Sequence, residues 1–159
     1  LSNNETGIFT SEAFQFLLER EFDRAFETSG SLSLIVLSMK IPSGPDSRRS
    51  GVEAIRQSIR AINKIKHKLE IFGHFGEKGY ALILPGSNSN QAVQLVDRIT
   101  TNITKFAPDL KQSRPVFYFG IASIPEDAQN TASLMNSAQV AMIEASKRNV
   151  TRIKFSELK

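Results

Sequence analysis

The chain contains no cysteine and no tryptophan, and its only histidines among 159 residues are His67 and His74. Without thiols there is no disulfide framework and no thiolate metal site, which fits a reducing compartment. Two histidines cannot build a histidine-rich metal centre. No apolar run approaches the ~20 residues that span a bilayer, and the opening residues lack a signal-peptide pattern. Twenty lysines and arginines against sixteen acids leave a net charge of +4, too small to argue for nucleic-acid binding. There is no internal repeat and no low-complexity tract. What is present, 40% hydrophobic and 23% charged residues, is the profile of one globular domain with a full core. The chain opens on Leu1 rather than Met, as expected of a piece of a longer polypeptide.

The hydrophobic pattern predicts alternating helices and strands. Residues 11 to 27 read as a helix capped by Ser11, with Phe14, Leu17, Leu18, Phe22, Ala25 and Phe26 as its apolar stripe. Leu32 to Met39 is almost continuously apolar, as in a strand buried on both faces. Residues 41 to 51, rich in proline, glycine and serine, read as a loop, and 52 to 66 as a helix. Residues 69 to 75 and 80 to 84 read as the two strands of a hairpin. Residues 90 to 106 are expected to be a helix capped by Asn88 or Ser87. Val116 to Ile124 reads as a strand in which Gly120 marks a close backbone approach. Residues 131 to 146 are a helix, with Asn149 suited to a left-handed residue after its end, and Thr151 to Phe155 a short last strand. The order predicts an α/β fold, helices packed on one mixed sheet.

The most informative stretch is Gly76-Glu77-Lys78-Gly79-Tyr80, a turn of glycines and charges between two apolar strands. Such a hairpin presents side chains on a rigid support. It resembles the signature hairpin of the GGDEF family of diguanylate cyclases, Gly-Gly-Asp/Glu-Glu-Phe followed by an apolar strand ending in Leu-Pro. Three further pieces are similar to the family in the same order. They are Thr6-Gly7-Ile8 with Phe14, then Gly120-Ile-Ala-Ser-Ile-Pro125, then Ala138-Gln-Val-Ala141-Met142-Ile-Glu-Ala145-Ser146. The resemblance covers nearly the whole chain. It implies a single domain over residues 1–159 with a nucleotidyl-cyclase-like palm, a central mixed, mainly antiparallel sheet flanked by helices.

The resemblance also says which positions carry the family's chemistry, and this chain departs from nearly all of them. Two Mg²⁺ ions are held by carboxylates at the end of the first strand and in the signature turn. The matching residues are Ser38 and Lys40, flanking Met39, and Lys78. Protonated lysine does not ligate Mg²⁺, and its charge repels the ion. Glu77 stands one residue away, at a glycine position. For guanine reading, residues 41 to 50 contain no Asn, and if Gly51 is the family's helix-start glycine, Val52 replaces the adjacent Asp. The phosphate-contacting Lys of the last helix corresponds to Ser146, with Lys147 beside it. The Arg-x-x-Asp that binds the product cyclic di-GMP corresponds to His67 and Glu70, which lack the bidentate Arg fork. A solvated helix end entering an edge strand explains 67–70 as well.

These substitutions lead us to expect a degenerate, catalytically inactive GGDEF domain from a larger bacterial signalling protein in the cytoplasm, with no catalytic residue, no metal and no cofactor. Arg56, Arg60, Lys64 and Lys68 fall four apart and form a basic ridge. It reads either as a docking strip for an acidic partner or as the solvated face of an amphipathic helix. The expected partner is another protein or a second copy of the domain, without nucleic-acid polymers or direct membrane contact. A non-catalytic sensor that binds GTP or cyclic di-GMP, weakly at most, is the alternative, and an active cyclase with unusual ligands is the third. Phe117 and Phe119 are expected on one strand face, with Tyr118 on the other.

Overall fold

Leu32–Lys40 forms the central strand β1, apolar enough to be buried on both faces over its first six residues. It lies antiparallel between β3 (Gly79–Pro85) and β4 (Val116–Ile124). β2 (Ile71–Phe75) pairs antiparallel with β3 at one edge, and β5 (Arg152–Lys154) pairs parallel with β4 at the other. The order β2-β3-β1-β4-β5 is therefore mixed and mainly antiparallel. The structure is a computed structural model and describes residues 1–41, 47–110 and 115–159, with backbone only at 47–50.

Strand alternation divides the core into two layers. Ile35, Leu37, Phe72, Leu82, Phe119 and Ile121 face α2 (Ser47–Ile65) and α3 (Ser89–Phe106). Leu34, Val36, Ala81, Ile83, Ala122 and Ile124 face α1 (Ser11–Thr28) and α4 (Thr131–Arg148). Phe117 and Phe119 lie on the first side and Tyr118 on the second, as their alternation requires. Among the described residues no helix is long and apolar enough to cross a membrane.

Several boundaries differ from the sequence reading. The N-cap of α1 is Thr10, whose Oγ1 accepts from Ala13 N at 3.2 Å, not Ser11. α2 begins at Ser47, inside the segment read as a loop, and residues 42–46 lie outside the described residues. Leu69 and Glu70 belong to a turn rather than to β2. Phe155–Leu158 is a 3₁₀ turn. Asn88 does cap α3, in a reciprocal box with Gln91, and Asn149 takes φ 53° after α4.

The N-terminal segment straps the exposed edge of β2. Phe9 N donates to Phe72 O at 3.3 Å and His74 N donates to Phe9 O at 2.9 Å. The Thr6 hydroxyl and His74 Nε2 share a hydrogen bond of 2.8 Å. Burial pushes the His74 imidazole below its usual value, so the fold prefers the neutral ring. The unfolded chain then binds more protons over the interval below ~6.5, and stability rises with pH there. Melting curves are expected to show a larger drop in Tm from pH about 7.5 to about 5.5 for the wild type than for His74→Gln. Equal drops would contradict this assignment.

The backbone of α4 lies directly against β4 at Gly120. A Cβ on Gly120 would overlap Ala138 O and Met142 N and lie 2.8 Å from Met142 Cα. Helix backbone cannot swing aside as a flexible side chain does. Gly120→Ala is expected to cost about 3 kcal/mol and to lower Tm by roughly 6–12 °C. A loss under ~1 kcal/mol in denaturant unfolding would mean that α4 shifts freely.

Candidate functional site

The β2–β3 hairpin, the C-terminal end of β1, the first turn of α1 and the last turn of α4 hold the residues that the sequence singled out. Pairing of Leu37 with Tyr80 and of Phe75 with Gly79 sets the hairpin tip beside the end of β1. The tip is Gly76-Glu77-Lys78, all exposed. Gly76 has φ 64°, where glycine is favoured. A Cβ at Gly79 would lie 2.9 Å from Phe75 O, so this turn is shaped for glycine where the family carries Glu. Ser11 Oγ donates to Gly76 O at 2.9 Å and ties the tip to the start of α1. Tyr80, at the family's Phe position, packs against His74 with ring centroids 5.4 Å apart, and burial raises its phenol pKa.

At the end of β1, Ser38 and Lys40 face the α1/α4 side. Ser38 lies opposite Tyr118, and its buried hydroxyl finds no partner among the described residues. Lys40 Nζ donates to Ser146 Oγ at 3.1 Å and stands 5.4 Å above the Tyr118 ring. Tyr118 OH in turn donates to Asn149 Oδ1 at 2.7 Å. Lys40 and Ser146, two positions that the resemblance assigns to opposite charges, thus meet as an ammonium and a hydroxyl. A hydroxyl and two ammonium groups are not a donor set for Mg²⁺. Among the described residues no group of three or more His, Asp or Glu side chains comes together to hold a metal.

His67 and Glu70 fall in the turn between α2 and β2. Glu70 is buried, with only 9% of its surface exposed, which corrects the picture of a solvated helix end. Its Oε1 accepts from His67 N at 2.7 Å, and its own N–H donates to His67 O at 3.1 Å. The carboxylate is spent on closing the turn. The neighbouring Lys66 is pushed down by burial, against the pull of Glu70.

Arg56, Arg60 and Lys64 are exposed along α2. Lys68 is exposed as well but lies beyond the helix end at Ile65, so the ridge is three residues long on the helix. Arg56 pairs with Glu53 at 3.3 Å. An open groove of about 820 Å³, which the sequence reading did not anticipate, lies at the other end of β1 between Phe22, Phe26, Ile124, Pro125 and Ala128. Also missed were the strap contacts through Thr6 and Ser11. A short threonine or serine carries no periodic signal that would predict a long-range partner.

The family model of the diguanylate cyclase GGDEF domain matches residues 4–152. No curated protein gives a significant match. Among solved structures, the chain is similar to the GGDEF domain of DgcB from Caulobacter crescentus in complex with c-di-GMP, at TM-score 0.77 and 15% identity over 98% of this chain and 95% of that one. It is similar to the active GGEEF domain of a diguanylate cyclase from Vibrio cholerae, at 0.78 and 15% over 93% and 97%. It is also similar to the diguanylate cyclase SiaD of Pseudomonas aeruginosa in complex with its activator SiaC, at 0.72 and 17% over 96% and 60%. At these identities the likeness is one of fold. With a family match that spans nearly all its residues, this chain belongs to the GGDEF domain family of diguanylate cyclases.

Proposed function

We propose that this chain is a catalytically inactive GGDEF domain that acts in cyclic di-GMP-type signalling as a protein-interaction or dimerisation module. The observation that carries this reading is the Lys40–Ser146 contact at 3.1 Å. A tethered ammonium stands where the resemblance assigns a metal-binding carboxylate, and Lys78 adds a second positive charge at the hairpin tip. Two like charges at that end oppose a divalent cation. Without the ions the phosphates of two GTP molecules are not neutralised and the 3′-hydroxyl is not activated. The exposed charges of Glu77 and Lys78 and the row on α2 then serve contacts with protein. SiaD, of the same fold, is known in complex with its activator SiaC, which supports protein docking as a use of this scaffold.

A second reading is a sensor that binds GTP or cyclic di-GMP without turnover. Lys40 and Lys78 favour it, because ammonium groups attract phosphate directly. Against cyclic di-GMP at 67–70 stands the Glu70 carboxylate, already engaged by its own turn. Incubation with GTP and Mg²⁺ or Mn²⁺, followed by chromatography, is expected to yield no cyclic di-GMP. Product that grows with time and disappears in Lys78→Ala would overturn the inactive assignment.

A further inference from the structure

The two helices that flank the sheet on opposite sides carry opposite charges on their outer faces. On α1 the exposed residues include Glu19, Asp23 and Glu27, with Phe16 and Phe26 at 60% and 75% exposure. On α2 they include Arg56, Arg60 and Lys64, with Val52 at 58% exposure, and Leu69 at 82% follows in the turn beyond. Both charged rows repeat every four residues, about 6 Å of helix per step. Three acids therefore match three bases in register, and each row is flanked by large apolar side chains.

Local pairing does not cancel these rows. Among the described residues no ion pair engages Glu19, Asp23, Glu27, Arg60 or Lys64, while Arg56 is shared with Glu53. The two arginines of α1 are occupied within their own helix. Arg24 pairs with Glu21 at 3.5 Å, and Arg20 lies 5.9 Å from the Phe16 ring centroid. Because α1 packs on one face of the sheet and α2 on the other, the rows point away from each other and cannot meet within one chain.

We propose that the occupant of the basic row is a second copy of this chain, with α1 of one copy docked along α2 of the next. This rests on the interaction-module reading above and names its partner. The contact is heterologous: each copy uses a different face on each side, and faces on opposite sides of the sheet do not close a twofold dimer. Copies therefore add in sequence. The apolar ends supply the buried area, and the charge rows set register and association rate. The reach of the charges falls from ~30 Å at 0.01 M salt to ~3 Å at 1 M.

Sedimentation velocity tests this on the chain and on two double variants. Glu19→Lys with Asp23→Lys makes α1 basic, and Arg60→Glu with Lys64→Glu makes α2 acidic. At low salt the wild type is expected to grow past the dimer as its concentration rises, and to lose association at least about tenfold in high salt. Each variant alone is expected to stay monomeric with an unchanged Tm. Their equimolar mixture is expected to associate again, since each then offers the other a complementary face. A monomeric wild type at low salt, undiminished association of either variant, growth that stops at a dimer, or a mixture that stays monomeric would each overturn the interface. The GTP assay decides the non-catalytic reading independently of this result.

Discussion

The contact between α4 and Gly120 of β4 governs how the rest of the molecule is arranged. Only a residue without Cβ lets the backbone at Ala138 and Met142 settle on the strand. Met142 is one turn from Ser146, so the depth of that crossing sets where the last turn of α4 stands over β1. β1 is hydrogen-bonded on both edges, and its register against β4 puts Ser38 opposite Tyr118 and Lys40 opposite Val116. A close helix–sheet approach thus brings Ser146 within 3.1 Å of Lys40. The same strand, through Leu37 and Tyr80, aligns the signature hairpin.

That scaffold carries a changed distribution of charge. An enzyme of this family must gather carboxylates at one end of the sheet and tolerate their mutual repulsion until metal binds. In this chain the same end carries Lys40 and Lys78, and Lys40 is satisfied by a hydroxyl and an aromatic face without any ligand. Glu77 stands beside Lys78 at the tip, while Glu19, Asp23 and Glu27 line the outer face of α1, across the sheet from the bases of α2. The domain retains the fold of its family, and the proposed interaction role rests on this altered charge pattern.

Much of this was legible in the sequence because it depends on local patterns. The apolar run 32–39, the glycine at 120 and the aromatic alternation of 117–119 each specify burial through side-chain type and period. The signature turn was legible because glycine and charge between two apolar strands admit few conformations. Features that rest on distant partners were not legible. Ser33 bonds to Ser123 at 2.6 Å and to the Ser87 carbonyl at 2.8 Å inside the core, although serine in a strand carries no mark of its partner. Arg152 forms a bidentate pair with Asp97 across 55 residues. Glu70 reads as a surface acid until the turn that it closes is seen. The charges of α1 and α2 were visible in the sequence, but their placement on opposite sides of one sheet required the topology.

The central claim is that the end of β1 and the hairpin tip no longer accept divalent metal. It is tested most directly by electron paramagnetic resonance of Mn²⁺ titrated into the protein with a non-hydrolysable GTP analogue. Free Mn²⁺ gives a six-line signal that is lost on binding. The account predicts the same free-ion signal with protein and nucleotide as with nucleotide alone. Loss of free Mn²⁺ in proportion to protein, reduced by a substitution at Ser38 or Glu77, would contradict it.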